Sequence, residues 1–189
     1  MGLGIEIIIA FIGVIFIVGF IAYLVSIFNG LVRLRNNIKK SWANINVLLK
    51  QRSDELPKLI SSVKGYMKHE RETLAVLTRA RTDFLKAKTM SKKAEADSMI
   101  SSALKTIFAV AENYPNLKAN ENFIQLQNRI SGLENELADR REFYNDSTNN
   151  FNIRIQSFPD MIVAKLMKLK AQEMFKVTEE EKKDVEVKF

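Results

Sequence analysis

The chain has no cysteine, one histidine, three prolines and seven glycines among its 189 residues. Without cysteine there can be no disulfide, no thiolate nucleophile and no cysteine-based metal site. The single histidine, His69, excludes metal ligation through two histidines and restricts any Ser-His-Asp triad to one place. No nucleophile motif accompanies His69, so we interpret it as an ordinary helix-face residue beside Glu70.

Phosphate-binding glycine loops are missing too, because neither G-x-x-x-x-G-K-[ST] nor G-x-G-x-x-G occurs. The scarcity of glycine and proline predicts few turns, and no stretch shows the sustained period-two alternation of a strand. No basic stripe with interleaved aromatic residues points to nucleic acid. We therefore predict an all-α protein and assign no catalytic, cofactor-binding or metal-ligating residue, and no cofactor.

What the sequence does have is an apolar run of 22 residues, 7–28, after a short tail over 1–6. A helix of this length spans about 33 Å, and the hydrocarbon core of a bilayer is about 30 Å thick. The only nearby charge is Glu6, at the outer edge of the run. The start carries no basic residue and the far end has no small-x-small cleavage site, which argues against a cleaved signal. We predict a single-pass transmembrane helix over 7–28.

Basic residues follow the run, and the segment 29–53 contains no acid. Anionic headgroups attract such residues by about 1 kcal/mol each near the surface. The N-terminal flank has no Lys or Arg, so the positive-inside rule places the N-terminus outside the cell membrane and the C-terminal domain in the cytoplasm. The candidate lipid-headgroup contacts are Arg33, Arg35, Lys39 and Lys40.

A few helix-breaking positions divide the rest of the chain into helices. The breaks are Pro57, Pro115, Pro159 and the stretch 88–91, which predict helices near 31–54, 57–88, 92–113 and 121–157, a short helix after Pro159, and a charged tail over 171–189. Four amphipathic helices with short connections favour an up-and-down antiparallel bundle, which we predict over 29–170. The apolar period continues through Pro57, as in one kinked helix, but we favour a chain reversal there.

A heptad dominates the segment 121–157, whose stripe we interpret as core. Its members are Phe123, Ile130, Leu137, Tyr144, Phe151 and Phe158. Arg140 and Arg141 interrupt the seam, and such a polar break can fix the register or let the stripe drift to another neighbour.

Asparagine is placed unusually in this chain, because it follows an aromatic residue at positions 29, 145 and 152. Since Asn is a mediocre helix former, we interpret these side chains as buried interhelical hydrogen-bonding groups. In the connection after Pro115, Asn120 or Asn122 is expected to cap the next helix, with Gln125 placed for a capping box.

Several of these stretches together resemble the LemA family. They are 42–52, 56–59, 63–66 with 69–70, 114–123, 140–145 and 158–159, and the string Tyr-Pro-Asn-Leu-Lys-Ala-Asn-Glu-Asn-Phe over 114–123 is highly specific. The resemblance implies a bacterial membrane protein with one span and an up-and-down helical bundle, and it brings no catalytic residues. Ser41, Asn46 and Ser53 stand where the family often carries Ala, Asp and His, which weakens any expectation of a shared histidine site.

Our leading hypothesis is a membrane-anchored, non-catalytic scaffold or adaptor that recruits a protein partner to the bilayer. One alternative is an enzyme that uses carboxylates alone, for which Glu112, Glu121 and Glu134 are available. Another is membrane remodelling through the basic residues beside the apolar run. Homo-oligomerisation stays open.

The charge asymmetry around the apolar run makes a testable prediction about orientation. Protease added to intact cells should leave a C-terminal epitope tag uncut, because the large domain is in the cytoplasm, whereas permeabilised cells should lose it. Digestion of the tag in intact cells would reverse the assignment.

Overall fold

The computed structural model describes residues 2–67 and 70–175. His69 and the part of the predicted tail beyond Phe175 lie outside the described residues. The helices are α1 (Gly2–Lys64), α2 (Arg71–Lys86), α3 (Met90–Ala111), α4 (Pro115–Lys118), α5 (Glu121–Gln156) and α6 (Asp160–Leu166). This confirms the prediction of an all-α protein, including the short helix after Pro159.

The chain divides into two compact units. The second unit contains residues 41–144 and Phe175, and its four long helical segments come from α1, α2, α3 and α5. Contacts fix their directions, because residues early in one helix meet residues late in its antiparallel neighbour. The defining pairs are Trp42 with Tyr144, Glu55 with Arg129, Ser53 with Arg81, Asp97 with Arg141, and Phe108 with Phe123. The predicted up-and-down bundle is therefore present in this unit.

The bundle core consists of apolar stripes that follow the helical period. Burial of each large aliphatic or aromatic side chain contributes about 1.5–3 kcal/mol relative to exposure. The buried stripes are Ile45, Leu49, Leu56, Leu59 and Val63 on α1, Leu74, Leu77, Ala80 and Phe84 on α2, and Ile100, Leu104, Ile107 and Ala111 on α3.

On α5 the heptad is confirmed for its first five members, which are all buried. Four of them belong to the second unit, and Phe151 belongs to the first. The sixth, Phe158, is 79% exposed. The reason is that α5 ends at Gln156, so the helical period that would have buried Phe158 stops before it. A cis peptide bond joins Phe158 to Pro159.

The predicted chain reversal at Pro57 is wrong, because α1 continues through Pro57 and ends at Lys64. The chain turns between α1 and α2 instead. A proline inside a helix removes one N–H donor and leaves the carbonyl four residues earlier without its helical partner. Here that carbonyl belongs to the fully buried Ser53, and Arg81 Nε on α2 donates a hydrogen bond to it at 3.0 Å. A neighbouring helix thus supplies the donor that proline lacks.

The first unit contains α1 up to Lys40 and the segment Asn145–Met174. Its α1 segment passes Asn29 and Gly30 without a break, so the expected start of a separate helix near residue 31 is also wrong. A Cβ added at Gly30 would lie 2.8 Å from Arg154 Nη2, and the missing side chain is what lets the guanidinium group approach the helix. Arg154 also forms an ion pair with Asp160.

A small apolar cluster joins α6 to α1 within the first unit. Ile27 and Leu31 pack against Val163 and Ala164, and all four are buried. The surrounding partly buried side chains are Leu24, Ile155, Met167 and Leu169.

Helix α6 ends in a Schellman motif. Leu169 N–H donates to the Ala164 carbonyl and Lys168 N–H donates to the Lys165 carbonyl, both at 3.0 Å. Lys168 adopts the left-handed conformation that this motif requires, with φ 54°. The segment that follows the motif returns to α5, where Gln172 hydrogen-bonds Asn152.

In the connection between α3 and α5, one of the two predicted helix caps is present. Helix α3 ends at Ala111, before Pro115. Asn120 Oδ1 accepts from Phe123 N–H at 3.1 Å, so Asn120 is the N-cap of α5. Gln125 is therefore not at the third helical position, where a capping box would need it.

The Pro57 arrangement predicts a specific coupling. Arg81→Met should destabilise the chain by about 1–2 kcal/mol, since it leaves the buried Ser53 carbonyl without a donor. In a Pro57→Ala background the same change should cost much less, because the backbone N–H regained at position 57 restores the helical bond. Chemical denaturation of the four variants measures the coupling, with Arg79→Met as the matched control on α2. Equal costs in both backgrounds would contradict the account.

Candidate functional site

The four candidate headgroup contacts lie on one short stretch of α1. Arg33, Arg35, Lys39 and Lys40 are all exposed and lie within about 10 Å along the helix axis. Before them, the apolar run is uncovered: α1 is long and apolar enough to cross a membrane, and 0% of its most apolar window is buried. Phe11 and Phe16, for example, are 66% and 74% exposed. Within residues 2–67 and 70–175, nothing covers this surface.

An ion network lies inside the bundle of the second unit. The side chain of Arg52 on α1 is 1% exposed and that of Asp97 on α3 is 2% exposed. Arg52 Nη1 donates to Asp97 Oδ1 at 2.9 Å, and Arg52 Nη2 donates to Ser101 Oγ at 2.9 Å. Arg141 on α5 donates to the other Asp97 oxygen. One buried carboxylate therefore joins guanidinium groups from two other helices.

The network is close to charge balance because a second acid approaches from α5. Glu134 Oε1 lies 3.4 Å from Arg52 Nη2, and its side chain is 38% exposed. Two cations thus face two anions. Breaking a buried pair by removing one partner is strongly destabilising, because the other charge stays buried without compensation. These ion pairs hold three helices, α1, α3 and α5, in register.

Sequence reasoning found only part of this network. The predicted polar break at residues 140 and 141 is real: Arg141 binds Asp97, while Arg140 stays at the surface and pairs with Glu136. Asp97 was missed. The signal was present, since Arg52 lies in the apolar period of α1 and Asp97 precedes Ile100 and Leu104 on the buried face of α3.

An aromatic cluster lies elsewhere in the second unit. The Phe175 ring packs 6.3 Å from Trp42, and Trp42 makes an edge contact with Tyr144 at 6.2 Å. Arg141 Cζ lies 4.8 Å from the centre of the Phe175 ring, a cation–π distance. Phe175 is 5% exposed. The described segment after α6 thus ends in a docked aromatic side chain.

Asn152 departs from the predicted interhelical hydrogen bonding. In the first unit, its Nδ2 donates to the Gln172 carbonyl at 2.9 Å and its Oδ1 accepts from Gln172 N–H at 2.8 Å. Both bonds go to the backbone of the segment after α6. Asn29, which was expected to be buried, is exposed. Asn152 therefore holds that segment and does not bridge two helices.

An open groove of about 810 Å³ lies between the end of α1 and α2 in the second unit. Its floor is apolar, with Met67 and Leu74 buried and Val76 41% exposed. Three exposed cations and one acid form its rim. The lining residues used below are Ile60, Lys64, Arg71, Glu72, Val76 and Arg79. Within residues 2–67 and 70–175, none of the three cations forms an ion pair.

Two of the carboxylates available to an enzyme lie far apart. Glu121 and Glu134 lie on the same helix, 13 residues and therefore about 20 Å apart. Glu112 is exposed and pairs with Lys118. Among the described residues, no group of three or more His, Asp or Glu side chains is placed to hold a metal ion.

Comparison with known proteins identifies the family. The sequence model of the LemA family matches residues 41–189. The chain belongs to the LemA family. It is 32% identical over 163 residues to Protein LemA of Metamycoplasma hominis, an alignment that covers 84% of this chain and 73% of that protein. The predicted resemblance is confirmed.

A shorter similarity extends to two other proteins. Magnetosome proteins MamQ 1 and MamQ 2 of Paramagnetospirillum magneticum are each 30% identical to this chain over 80 residues. The alignment covers 42% of this chain and 29% of each relative. LemA family membership indicates a membrane-associated protein, and the uncovered apolar helix is compatible with that.

The ion network predicts a graded response to loss of its acids. Asp97→Asn should destabilise the chain by about 3 kcal/mol or more, because the buried guanidinium group of Arg52 and the partly buried one of Arg141 lose their common anion. Glu134→Gln, at a half-exposed side chain, should cost less than about 1 kcal/mol. Urea unfolding of the detergent-solubilised chain measures both, and equal costs would show that Asp97 is not the centre of the network.

Proposed function

We propose that this LemA family member is a membrane-anchored, non-catalytic helical scaffold whose bundle recruits a protein partner to the bilayer. The observation that carries the proposal is the uncovered apolar surface of α1, together with a bundle core whose buried charges are compensated within the chain. The uncovered surface needs lipid, and the compensated core leaves partner binding to the exterior of the bundle.

The dimensions of α1 support a transmembrane position for residues 7–28. Soluble proteins rarely expose contiguous apolar patches beyond a few hundred square ångströms. Here nearly every large apolar side chain from Ile7 to Phe28 is exposed, apart from the half-buried Leu24 and the buried Ile27. Insertion in a bilayer removes that surface from water. By the positive-inside bias, the bundle domain over 29–170 is then cytoplasmic.

The helical rise separates the four basic residues into two pairs. With the bilayer core ending near Phe28, Arg33 and Arg35 lie about 8–10 Å beyond it, and Lys39 and Lys40 about 17–18 Å beyond it. The headgroup layer is about 5–8 Å thick on each side. Long side chains of the first pair reach headgroups directly. The second pair interacts with the surface through the longer-range field.

The groove between α1 and α2 is the surface we assign to the partner. Its apolar floor fits the hydrophobic face of an amphipathic helix, a common mode of peptide recognition. Its rim carries three cations, Lys64, Arg71 and Arg79, against the single acid Glu72. Complementary charge steers association and selects partners. We therefore expect an acidic amphipathic helix as the occupant.

A photo-crosslinking experiment in intact membranes tests this assignment. A photoreactive amino acid at Val76 should yield one discrete adduct, because that position lies in the groove. The adduct should fall several-fold in an Arg71→Glu, Arg79→Glu variant, since its charges repel an acidic helix. Isolation of the adduct and sequencing of the crosslinked peptide then show whether it is acidic and amphipathic.

The same photoreactive residue at Phe143, exposed on α5, is the control. An adduct that survives charge reversal, or that forms equally at both positions, contradicts a specific partner in the groove. A crosslink to a second copy of this chain would assign the groove to self-association instead.

A further inference from the structure

We propose that α6 and the turns on either side of it form a second membrane contact, a short interfacial element that lies in the headgroup region beside the transmembrane helix. The proposal deepens the proposed function and rests on it, because it takes the bilayer position from residues 7–28. It adds residues of the turn after α5, of α6 and of the following segment, which are distant in sequence from the apolar run.

The packing of α6 fixes its depth. Its buried residues Val163 and Ala164 contact Ile27 and Leu31, and Leu24 packs against the same cluster. Leu24 and Ile27 belong to the apolar run, whereas Leu31 follows it. The contact zone from Leu24 to Leu31 therefore covers about 10 Å of α1, centred near the end of the run. If the run fills the bilayer core, α6 lies at the boundary between acyl chains and headgroups.

A second apolar stripe on α6 has no partner within the described residues. Ile162 is 49% exposed and Leu166 is 80% exposed, and the two are one helical turn apart. Phe158, at 79% exposure, extends the same four-residue spacing into the turn before the helix. Three large apolar side chains are thus exposed at the level where α1 meets lipid.

Cations accompany the apolar stripe, as expected of an element that lies in a membrane interface. Lys165, Lys168 and Lys170 are all exposed, and none of them forms an ion pair with a residue in 2–67 or 70–175. Lys168 occupies the left-handed position of the Schellman motif, where glycine is the residue with the least strain. Apolar side chains and free ammonium groups side by side match acyl chains and anionic headgroups.

The occupant of this face is the bilayer, because the face continues a surface that already requires lipid. A partner protein or a second copy would have to bind beside α1 at the membrane surface, in competition with that lipid. The second copy remains an outcome of the test.

Site-directed spin labelling tests the inference in the full chain, which has no native cysteine to remove. Phe158→Cys and Leu166→Cys are labelled separately with a nitroxide and reconstituted in vesicles of phosphatidylcholine and phosphatidylglycerol. Power saturation then compares collision with oxygen, which concentrates in lipid, against a water-soluble nickel chelate. Circular dichroism checks that each variant keeps its helix content.

Two control labels set the scale. Ile17→Cys, in the middle of the apolar run, reports whether α1 spans the bilayer. Phe143→Cys is exposed on α5, about 20 Å along that helix from the end at Gln156, and serves as the aqueous reference. The ratio of oxygen to nickel collision at positions 158 and 166 should be several-fold above that at 143 and below that at 17.

Each other outcome overturns the inference in a recognisable way. If 17 is in lipid but 158 and 166 match 143, the interfacial contact is absent while the anchor stands. If 17 also matches 143, the anchor itself fails and the inference fails with it. Dipolar broadening between labels at 158 or 166, without oxygen preference, would assign the face to a second copy of the chain.

Discussion

Asp97 pairs with two guanidinium groups inside the four-helix bundle, and the register of three helices depends on that single carboxylate. Arg52 reaches it from α1 and Arg141 from α5, so a shift of either helix by one turn would separate a buried charge from its partner. Apolar stripes alone tolerate such slippage, since one leucine can replace another. A buried ion network is a costly way to hold helices together, but it distinguishes one alignment from its neighbours.

The same logic extends to the backbone at Pro57. An uninterrupted α1 needs a donor for the Ser53 carbonyl, and Arg81 supplies it from α2. In both places a charged side chain on one helix compensates a polar group buried on another. The Ser53 carbonyl and the Asp97 carboxylate are therefore satisfied by side chains of other helices, and the packing of each helix depends on the others being present.

Local sequence rules predicted what is decided locally. The heptad of α5, the break before α3 and the connection at Pro115 all follow from helical period, capping and proline geometry, and all are present. The end of α1 could not be predicted in this way, because a residue 28 positions from Ser53 determines whether the helix survives its proline. The role of Asp97 was hidden for a similar reason: a charge in an apolar stripe indicates burial, but its partners lie on other helices. Phe158 shows the converse, since its heptad position means nothing once the helix has ended.

The docked ring of Phe175 gives the molecule an intrinsic optical reporter. Trp42 is the only tryptophan in the chain, and it touches both Phe175 and Tyr144. Release of the ring would open one side of the indole to water, and indole emission is sensitive to such a change in polarity. Fluorescence of the unlabelled chain therefore reports whether Phe175 is docked against Trp42 or released from it.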